Sequence, residues 1–266
     1  MHSKSSLFKR LLVASALAGA GIATAHAGAT LKAGDLQVGM EISYPPFESW
    51  DKGKVVGFDP ELAQALAKAM GDKASFVDTK FTGLILGLGA EHFDVVISGM
   101  YVTPERQAQA DALPYGKTGA LILVRKGSAK QPKTEQDLCG LKVGLEQGTT
   151  WVKALQTLSA QTCVPAGKGA IAVSEFPSAP EASQALLSGN VDAQMEIAGA
   201  ARMFAERTKD RLAISSPDLV YPQTLGMYVK KGNTQLMAAL KQAMATIRAN
   251  GQYARLLKKY NIAPVE

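Results

Sequence analysis

Short apolar runs alternate with helical patterns along most of the chain, and this alternation limits the possible folds more than any other feature. The apolar run at 36–40, for example, is followed by a helical pattern at 60–70. Strands separated by helices are typical of α/β proteins with mainly parallel sheets. The same reasoning predicts further strands at 74–77, 94–98, 121–124, 141–145, 171–174, 191–195 and 225–229, and helices from about 82 and 149 and at 180–187, 235–249 and 253–260.

The helix at 60–70 has a well-marked beginning. Asp59 can accept hydrogen bonds from the unpaired N–H groups of the first turn, and Pro60 suits the first helical position because its missing N–H is not needed there. Glu61 complements the positive end of the helix dipole. Gly71 is suited to end the helix in a left-handed conformation. We therefore expect Asp59 to cap this helix.

Residues 1–27 have the pattern of a secretory signal peptide. Basic residues are followed by an uncharged run of roughly 13 residues and then by Ala25-His26-Ala27, a typical cleavage sequence. A membrane-spanning helix needs about 20 apolar residues, so an anchor is the weaker interpretation. We predict cleavage after Ala27. Removing 27 of the 266 residues takes away three basic side chains and lowers the formal net charge from +6 to about +3. No cluster of basic residues then suggests a nucleic-acid partner.

The remaining chain contains two cysteines, Cys139 and Cys163. An exported protein meets an oxidising compartment, where an even pair of cysteines is typically a disulfide. Such a bond would stabilise the fold by roughly 3 kcal/mol. Two buried thiols remain an alternative, whereas a zinc site is disfavoured because no histidine lies near either cysteine in the sequence.

Six segments together carry a resemblance to a known family. They are Tyr44-Pro-Pro-Phe47-Glu-Ser, Gly57-Phe58-Asp59-Pro60-Glu61-Leu62, Ser98-Gly99-Met100-Tyr101-Val-Thr103-Pro-Glu105-Arg106, Gln147-Gly-Thr149-Thr150, Val191-Asp192-Ala193, and Gly251-Gln-Tyr253 through Lys259-Tyr260. In this order they resemble the periplasmic solute-binding proteins that deliver polar amino acids to ABC importers. The chain departs from the family at Pro60, where an aliphatic residue is usual.

The resemblance implies a fold of two α/β lobes (a type II periplasmic-binding-protein fold) with two hinge crossings and a ligand cleft between the lobes. Lobe I would comprise residues 28–119 and 221–266, and lobe II residues 120–220. Two polar stretches, 127–132 and 215–222, occur where crossings would be needed. Both cysteines then fall in lobe II. Ligand binding would close the lobes by a hinge motion.

The resemblance also implies where a carboxylate would bind. Arg106 would hold the α-carboxylate of a ligand, because a guanidinium offers two parallel donors and stays charged when it is buried. Backbone and side-chain donors would complete that site. These come from a segment that follows a strand and from one that precedes a helix: Ser98, Gly99, Met100, Tyr101, Gln147, Thr149 and Thr150. Tyr101 stands where the family commonly has Ser or Thr, which suggests a changed pocket wall.

The resemblance also implies which residues would contact the apolar part of the ligand and which would bind its positive charge. Tyr44 and Phe81 match the family's aromatic walls. The family places a carboxylate for the ligand's ammonium five residues after Asp192, but here that position is Ile197, and Glu196 is one residue early. A shift of one residue in a strand turns a side chain to the other face. Glu41, at a position that some members use for a distal cation, is the second candidate.

These observations favour a non-catalytic carrier with no cofactor and no metal. We expect a periplasmic monomer that captures an amino acid or a related carboxylate and passes it to a membrane ABC permease. A periplasmic dehydratase acting on prephenate or arogenate is the alternative, with Glu196 as general acid. A ligand-sensing module of a membrane receptor is a third interpretation.

Overall fold

The computed structural model describes residues 29–209 and 211–265. The predicted signal peptide and its cleavage after Ala27 lie outside the described residues. Within the described ranges, no helix is both long enough and apolar enough to cross a membrane.

Strands and helices alternate as the sequence predicts. The strands are β1 (Asp35–Met40), β2 (Ser43–Tyr44), β3 (Glu48–Asp51), β4 (Lys54–Val56), β5 (Lys73–Asp78), β6 (Val95–Val96), β7 (Ala110–Arg125), β8 (Lys142–Glu146), β9 (Ala172–Phe176), β10 (Ala193–Ile197), β11 (Leu212–Ile214) and β12 (Val220–Lys230). The helices are α1 (Phe58–Met70), α2 (Leu84–Gly89), α3 (Pro104–Gln109), α4 (Thr150–Leu158), α5 (Ala179–Ser188), α6 (Ala198–Arg207), α7 (Thr234–Ala249) and α8 (Gln252–Tyr260).

The strands of the main sheet lie in the order β5-β1-β6-β12-β7-β10-β8-β9, with β11 paired to β7. Lobe I contains β5, β1 and β6, against which α1 and α2 pack, and α1 in turn contacts α7 and α8. Lobe II contains β10, β8 and β9, covered by α4, α5 and α6. The short strands β2, β3 and β4 form a separate antiparallel sheet between β1 and α1, where the sequence pattern predicts no strand.

Two long strands, β7 and β12, connect the lobes and confirm the two crossings. β7 pairs with β12 over most of its length and with β10 near its end, while β12 also pairs with β6. The proposed lobe boundaries lie in this region, where Val220 pairs with Ala120 and the register of β12 shifts. The polar stretch 127–132, in contrast, comes after β7 has already entered lobe II.

The expectation of mainly parallel sheets is wrong at the centre of the molecule. Within each lobe the pairs β1–β5, β1–β6, β8–β9 and β8–β10 are parallel. The central pair β7–β12 is antiparallel. The chain leaves lobe I along one of these strands and returns along the other, so the two must run in opposite directions.

The start of α1 also differs from the prediction. The helix begins at Phe58 with Gly57 as its N-cap, and Asp59 does not cap it. Gly57 has φ = +133°, a conformation that favours glycine, and a Cβ atom there would collide with the backbone of Phe47. Asp59 instead accepts a hydrogen bond from the backbone N–H of Gly99, with a distance of 2.6 Å between the nitrogen and Asp59 Oδ2. The predicted end is confirmed, because Gly71 adopts the left-handed conformation.

Helix α6 has no counterpart in the predictions. It follows β10 directly, and Ile197, which makes no side-chain cap, occupies its N-cap position. Without a capping residue or a turn residue, the sequence gives no sign of this boundary. The predicted disulfide between Cys139 and Cys163 is present and lies within lobe II.

Candidate functional site

A cavity between the two lobes collects most of the predicted site residues. Its volume in this structure is about 30 Å³, less than the roughly 300–1,000 Å³ of most small-molecule sites. Several of its residues follow the carboxyl ends of parallel strands, where ligands of open α/β sheets bind. The lining residues are Glu41, Tyr44, Glu48, Phe81, Ser98, Gly99, Tyr101, Arg106, Glu146, Thr149, Thr150, Trp151 and Ile197.

Three of the predicted residues do not line this cavity. Met100 is buried in a small apolar cluster with Leu84 and Phe93. Gln147 is exposed, and its backbone N–H donates to the carbonyl oxygen of Phe176. Glu196 is buried beside the cavity and is held by other side chains. The remaining nine predicted residues all lie on the cavity wall.

Arg106 spans the opening between the lobes. It lies in α3, where Thr103 is the N-cap. Its guanidinium donates to the carbonyl oxygen of Tyr101 (2.7 Å) and to that of Gly148 (3.0 Å), and its Cζ lies 5.4 Å from the centre of the Phe81 ring. Burial lowers the pKa of Arg106, but an arginine side chain stays protonated. Five N–H donors are available to a guanidinium, so contacts to a ligand carboxylate are compatible with these bonds.

Ser98 and Gly99 are predicted donors to a ligand, yet their donors are already used. The Ser98 hydroxyl donates to Glu48 (2.6 Å), and its oxygen accepts from the backbone N–H of Glu41 (3.0 Å). The Gly99 N–H donates to Asp59. In this structure both residues therefore bind the buried acids Glu48 and Asp59.

Those acids, Glu48 and Asp59, form a fully buried pair. Burial raises the pKa of Asp59 to about 6. Burial and the negative charge of Asp59 raise the pKa of Glu48 well above its ordinary value. Glu48 Oε2 and Asp59 Oδ1 are buried and accept no hydrogen bond from another described residue, and two adjacent buried carboxyl groups cannot both be ionised, so the pair requires a proton. Because the pKa of Glu48 is the more strongly raised, we assign the shared proton to Glu48.

A second pair of acids, Glu41 and Glu146, meets across the cleft. Glu41 follows β1 in lobe I, and Glu146 ends β8 in lobe II; the two residues are 5% and 7% exposed. Glu41 accepts from the backbone N–H of Phe81 (2.8 Å) and lies 3.5 Å from the exposed ammonium of Lys80. Burial, and then the hydrogen bond and charge of Glu41, raise the pKa of Glu146 to about 10. A protonated Glu146 therefore donates to Glu41.

Sequence reasoning missed both Glu48 and Glu146 as lining residues. Glu146 immediately precedes the Gln147-Gly-Thr-Thr segment, directly after the predicted strand at 141–145. The carboxyl end of a strand was the available signal, because ligands collect at that edge of the sheet. Glu48 lies in the hairpin that the sequence did not reveal.

Glu196 is separated from the cavity by its hydrogen bonds. The Tyr44 hydroxyl donates to it (2.7 Å) and accepts from the backbone N–H of Ile197 (3.1 Å), while Gln194 donates to its other oxygen (2.7 Å). Burial raises the pKa of Glu196 to about 7, against the opposing effect of these hydrogen bonds. Successive residues of β10 face opposite sides, so Ile197 is the residue that reaches the cavity wall.

Besides Glu48 Oε2, two polar groups of the cavity wall have no hydrogen-bond partner among the described residues. The Tyr101 hydroxyl and the Trp151 indole N–H are both buried and make no hydrogen bond there. The two rings meet edge to face, with centroids 5.8 Å apart. A buried donor without a partner costs about 1–3 kcal/mol, which a ligand with an acceptor group would relieve.

Comparisons with known proteins place the chain in one family. The pattern described as "Bacterial extracellular solute-binding proteins, family 3" matches residues 36–263. The L-cystine-binding protein TcyJ of Escherichia coli (strain K12) is 34% identical over 229 residues, which cover 85% of this chain and 82% of that protein.

Solved structures give the same result. The structure of an ancestral arginine-binding protein bound to arginine has a TM-score of 0.78 and 34% identity, covering 85% of this chain and 98% of the other. An ancestral amino-acid-binding protein described as a precursor of cyclohexadienyl dehydratase has a TM-score of 0.73 and 34% identity, covering 85% and 95%. With the two-lobed fold and the cavity between the lobes, these matches show that the chain belongs to the bacterial extracellular solute-binding proteins of family 3.

Proposed function

We propose that this protein is a periplasmic carrier that binds an amino acid, or an amino-acid-like carboxylate, and delivers it to the permease of an ABC importer. One observation carries the proposal: Arg106 and several carboxyl groups line the same enclosed cavity between two lobes. A guanidinium on one part of the wall and carboxyl groups on another fit a ligand with charges of both signs. The amino-acid-binding relatives support the same class of ligand.

In this proposal Arg106 binds the ligand carboxylate, and backbone N–H groups at the start of α4, next to Thr149 and Thr150, add donors to it. Phe81 and Tyr44 contact the apolar part of the ligand. The lobes close over the ligand by rotation about β7 and β12, and closure excludes water from the charged contacts. Affinity then arises from a few fixed polar groups within an apolar enclosure.

Export of the chain belongs to the same proposal. The first 27 residues would direct secretion and be removed after Ala27. The carrier would work as a monomer and contact the permease only when the lobes have closed. Mass spectrometry of the protein isolated from the periplasm tests the cleavage, since the proposal predicts a mature N-terminus at Gly28.

A dehydratase activity on the same fold is the second candidate. It is favoured by Glu196, whose pKa of about 7 suits a general acid, and by the similarity to a dehydratase precursor. The carrier is better supported, because Glu196 is hydrogen-bonded by Tyr44 and Gln194 and does not line the cavity. Incubation with prephenate distinguishes the two candidates: the carrier leaves prephenate unchanged, whereas the enzyme converts it at a rate that Glu196→Gln lowers.

A thermal-shift screen tests the carrier. The full chain is expressed, and the exported protein is purified from the periplasm and unfolded once and refolded to remove bound ligand. The panel holds the common amino acids, ornithine, cystine, opine-type conjugates, dicarboxylates and prephenate. A ligand at 100 times its dissociation constant adds about 2.7 kcal/mol, which corresponds to a shift of about 5–10 °C at this size. We expect at least one carboxylate to give such a shift. If no compound of the panel raises the melting temperature, the proposal is contradicted.

A further inference from the structure

We propose that Glu41 and Glu146 act together as a clamp for a positively charged group, and that the ligand is therefore a carboxylate whose side chain carries a cation such as a guanidinium. One carboxyl group comes from each lobe, so the clamp forms only when the lobes close. This inference rests on the proposed function and specifies the ligand class of the same cavity. It assigns a binding role to Glu146, which the resemblance did not provide.

The first argument is the cost of the pair without a cation. Both side chains are more than nine-tenths buried and in hydrogen-bonding contact. Two adjacent buried carboxyl groups cannot both be ionised unless a positive charge lies between them, so in this structure they require a proton. A ligand cation would take the place of that proton. It would contact both carboxylates, whereas Lys80, whose side chain is 65% exposed, forms its ion pair with Glu41.

The second argument is the charge balance of the wall. Glu41 and Glu146 line the cavity together with the protonated Glu48, while Arg106 is the cationic side chain among the lining residues. If Arg106 is occupied by the ligand carboxylate, the other side of the cavity still faces an excess of carboxyl groups. A guanidinium has a planar set of donors that can bind two carboxylates at once, and a neutral side chain cannot neutralise them.

The third argument is independent of the acids. The Tyr101 hydroxyl and the Trp151 indole N–H line the cavity, are buried, and have no partner among residues 29–209 and 211–265. They indicate that the cavity receives a polar molecule that supplies acceptors. A ligand carboxylate supplies them, while its cationic end reaches the clamp.

The clamp has a characteristic dependence on pH. A ligand cation binds when Glu146 is ionised, so the affinity for the cation should fall as the pH is lowered and Glu146 keeps its proton. A neutral ligand of the same shape closes the lobes only if the pair takes up a proton, so its affinity should rise as the pH is lowered. The charged and titratable groups that face Glu146 are Glu41, Glu48, Glu196, Lys80 and Tyr44.

The test compares L-arginine with L-citrulline, which has almost the same shape but no charge on its side chain. Dissociation constants are measured by calorimetric titration between pH 5 and pH 8 for the wild type, Glu146→Gln and Glu41→Gln. Glu175→Gln is the matched control, because Glu175 is an exposed acid of lobe II that does not line the cavity. We expect the wild type at pH 7.5 to prefer arginine by at least about tenfold, as charge pairing in an enclosed site typically provides.

Glu146→Gln should bring the two affinities to within about threefold of each other and remove the opposite pH dependences, while Glu175→Gln leaves both unchanged. An arginine preference that survives Glu146→Gln would overturn the clamp. A wild type that binds citrulline, neutral amino acids or dicarboxylates but not arginine, ornithine or another cationic carboxylate would also overturn it, and would leave the carrier proposal intact. If no carboxylate of the thermal-shift panel binds, the carrier proposal and the clamp fail together.

Discussion

Carboxyl groups determine much of the chemistry of this cavity, and their protonation differs from one residue to the next. Glu48 lines the wall and Asp59 lies behind it, and the two share a proton that no ligand needs to displace. Glu41 and Glu146 lie on the wall, where a proton and a ligand cation can exchange. The first pair has a structural role because it positions Ser98 and Gly99, whose donors are directed away from the cavity.

Glu48 offers a sharp test of the first pair. If Glu48 carries the proton, Glu48→Gln replaces a neutral donor with another neutral donor and should change the free energy of unfolding by less than about 1 kcal/mol. Glu48→Ala removes the partners of Ser98 and Asp59 and leaves both buried, which should cost about 1–3 kcal/mol for each unsatisfied group. Urea unfolding at pH 7 measures both variants. Equal destabilisation by Gln and Ala would show that Glu48 is ionised.

At the residue scale, the resemblance to the family implied wall positions for Arg106 and Phe81, and both residues line the cavity. The prediction that Asp59 caps a helix uses only residues that are close to it in the sequence. Its actual partner, the Gly99 N–H, is 40 residues away. Glu146 directly follows the predicted strand at 141–145, but an acid at the end of a strand can face either a cleft or solvent, and its sequence neighbours do not decide between the two.

At the scale of elements, the strands and helices with clear periodicity or terminal signals were predictable, but the antiparallel centre was not. The prediction placed separate short strands at 121–124 and 225–229, whereas β7 and β12 are much longer. Their extra length includes polar and glycine residues, such as Lys117 and Gly119, that do not fit an apolar strand pattern. These residues form strand because each long strand must cross from one lobe to the other, a constraint that arises only in the folded molecule.

The disulfide is an element-scale feature with a measurable effect. Cys139 follows the turn Glu135–Leu138, and Cys163 ends the π-helical turn Ser159–Cys163 after α4, with 24 residues separating them in sequence. A loop of this length should contribute about 3 kcal/mol to stability. The Cys139→Ser, Cys163→Ser double variant should lose this amount in urea unfolding, compared with oxidised wild type. Neither cysteine lines the cavity. At a temperature low enough for the double variant to stay folded, its ligand affinity should therefore differ from that of the wild type by less than about threefold. A large loss of affinity would contradict this separation of roles.

At the scale of the whole molecule, several hydrogen bonds join the two lobes. Arg106 donates to Gly148, Tyr44 donates to Glu196, and Gln223 on β12 donates to Thr150 in lobe II. Three of these residues line the cavity as well, so ligand contacts and lobe–lobe contacts use the same side chains. Lobe closure and ligand binding should therefore be strongly coupled, because the ligand favours the closed arrangement in which these side chains meet.

The most direct test of this account is a calorimetric titration of wild type and Arg106→Ala with the best carboxylate from the thermal-shift panel. The matched control is Arg202→Ala, which removes an exposed arginine of α6. Truncating one partner of a buried charge pair typically costs 2–5 kcal/mol, so Arg106→Ala should weaken binding by at least about 30-fold. Its circular dichroism and unliganded melting temperature should stay close to those of the wild type. Retention of wild-type affinity by a folded Arg106→Ala protein would contradict the central claim that this cavity binds its ligand through Arg106.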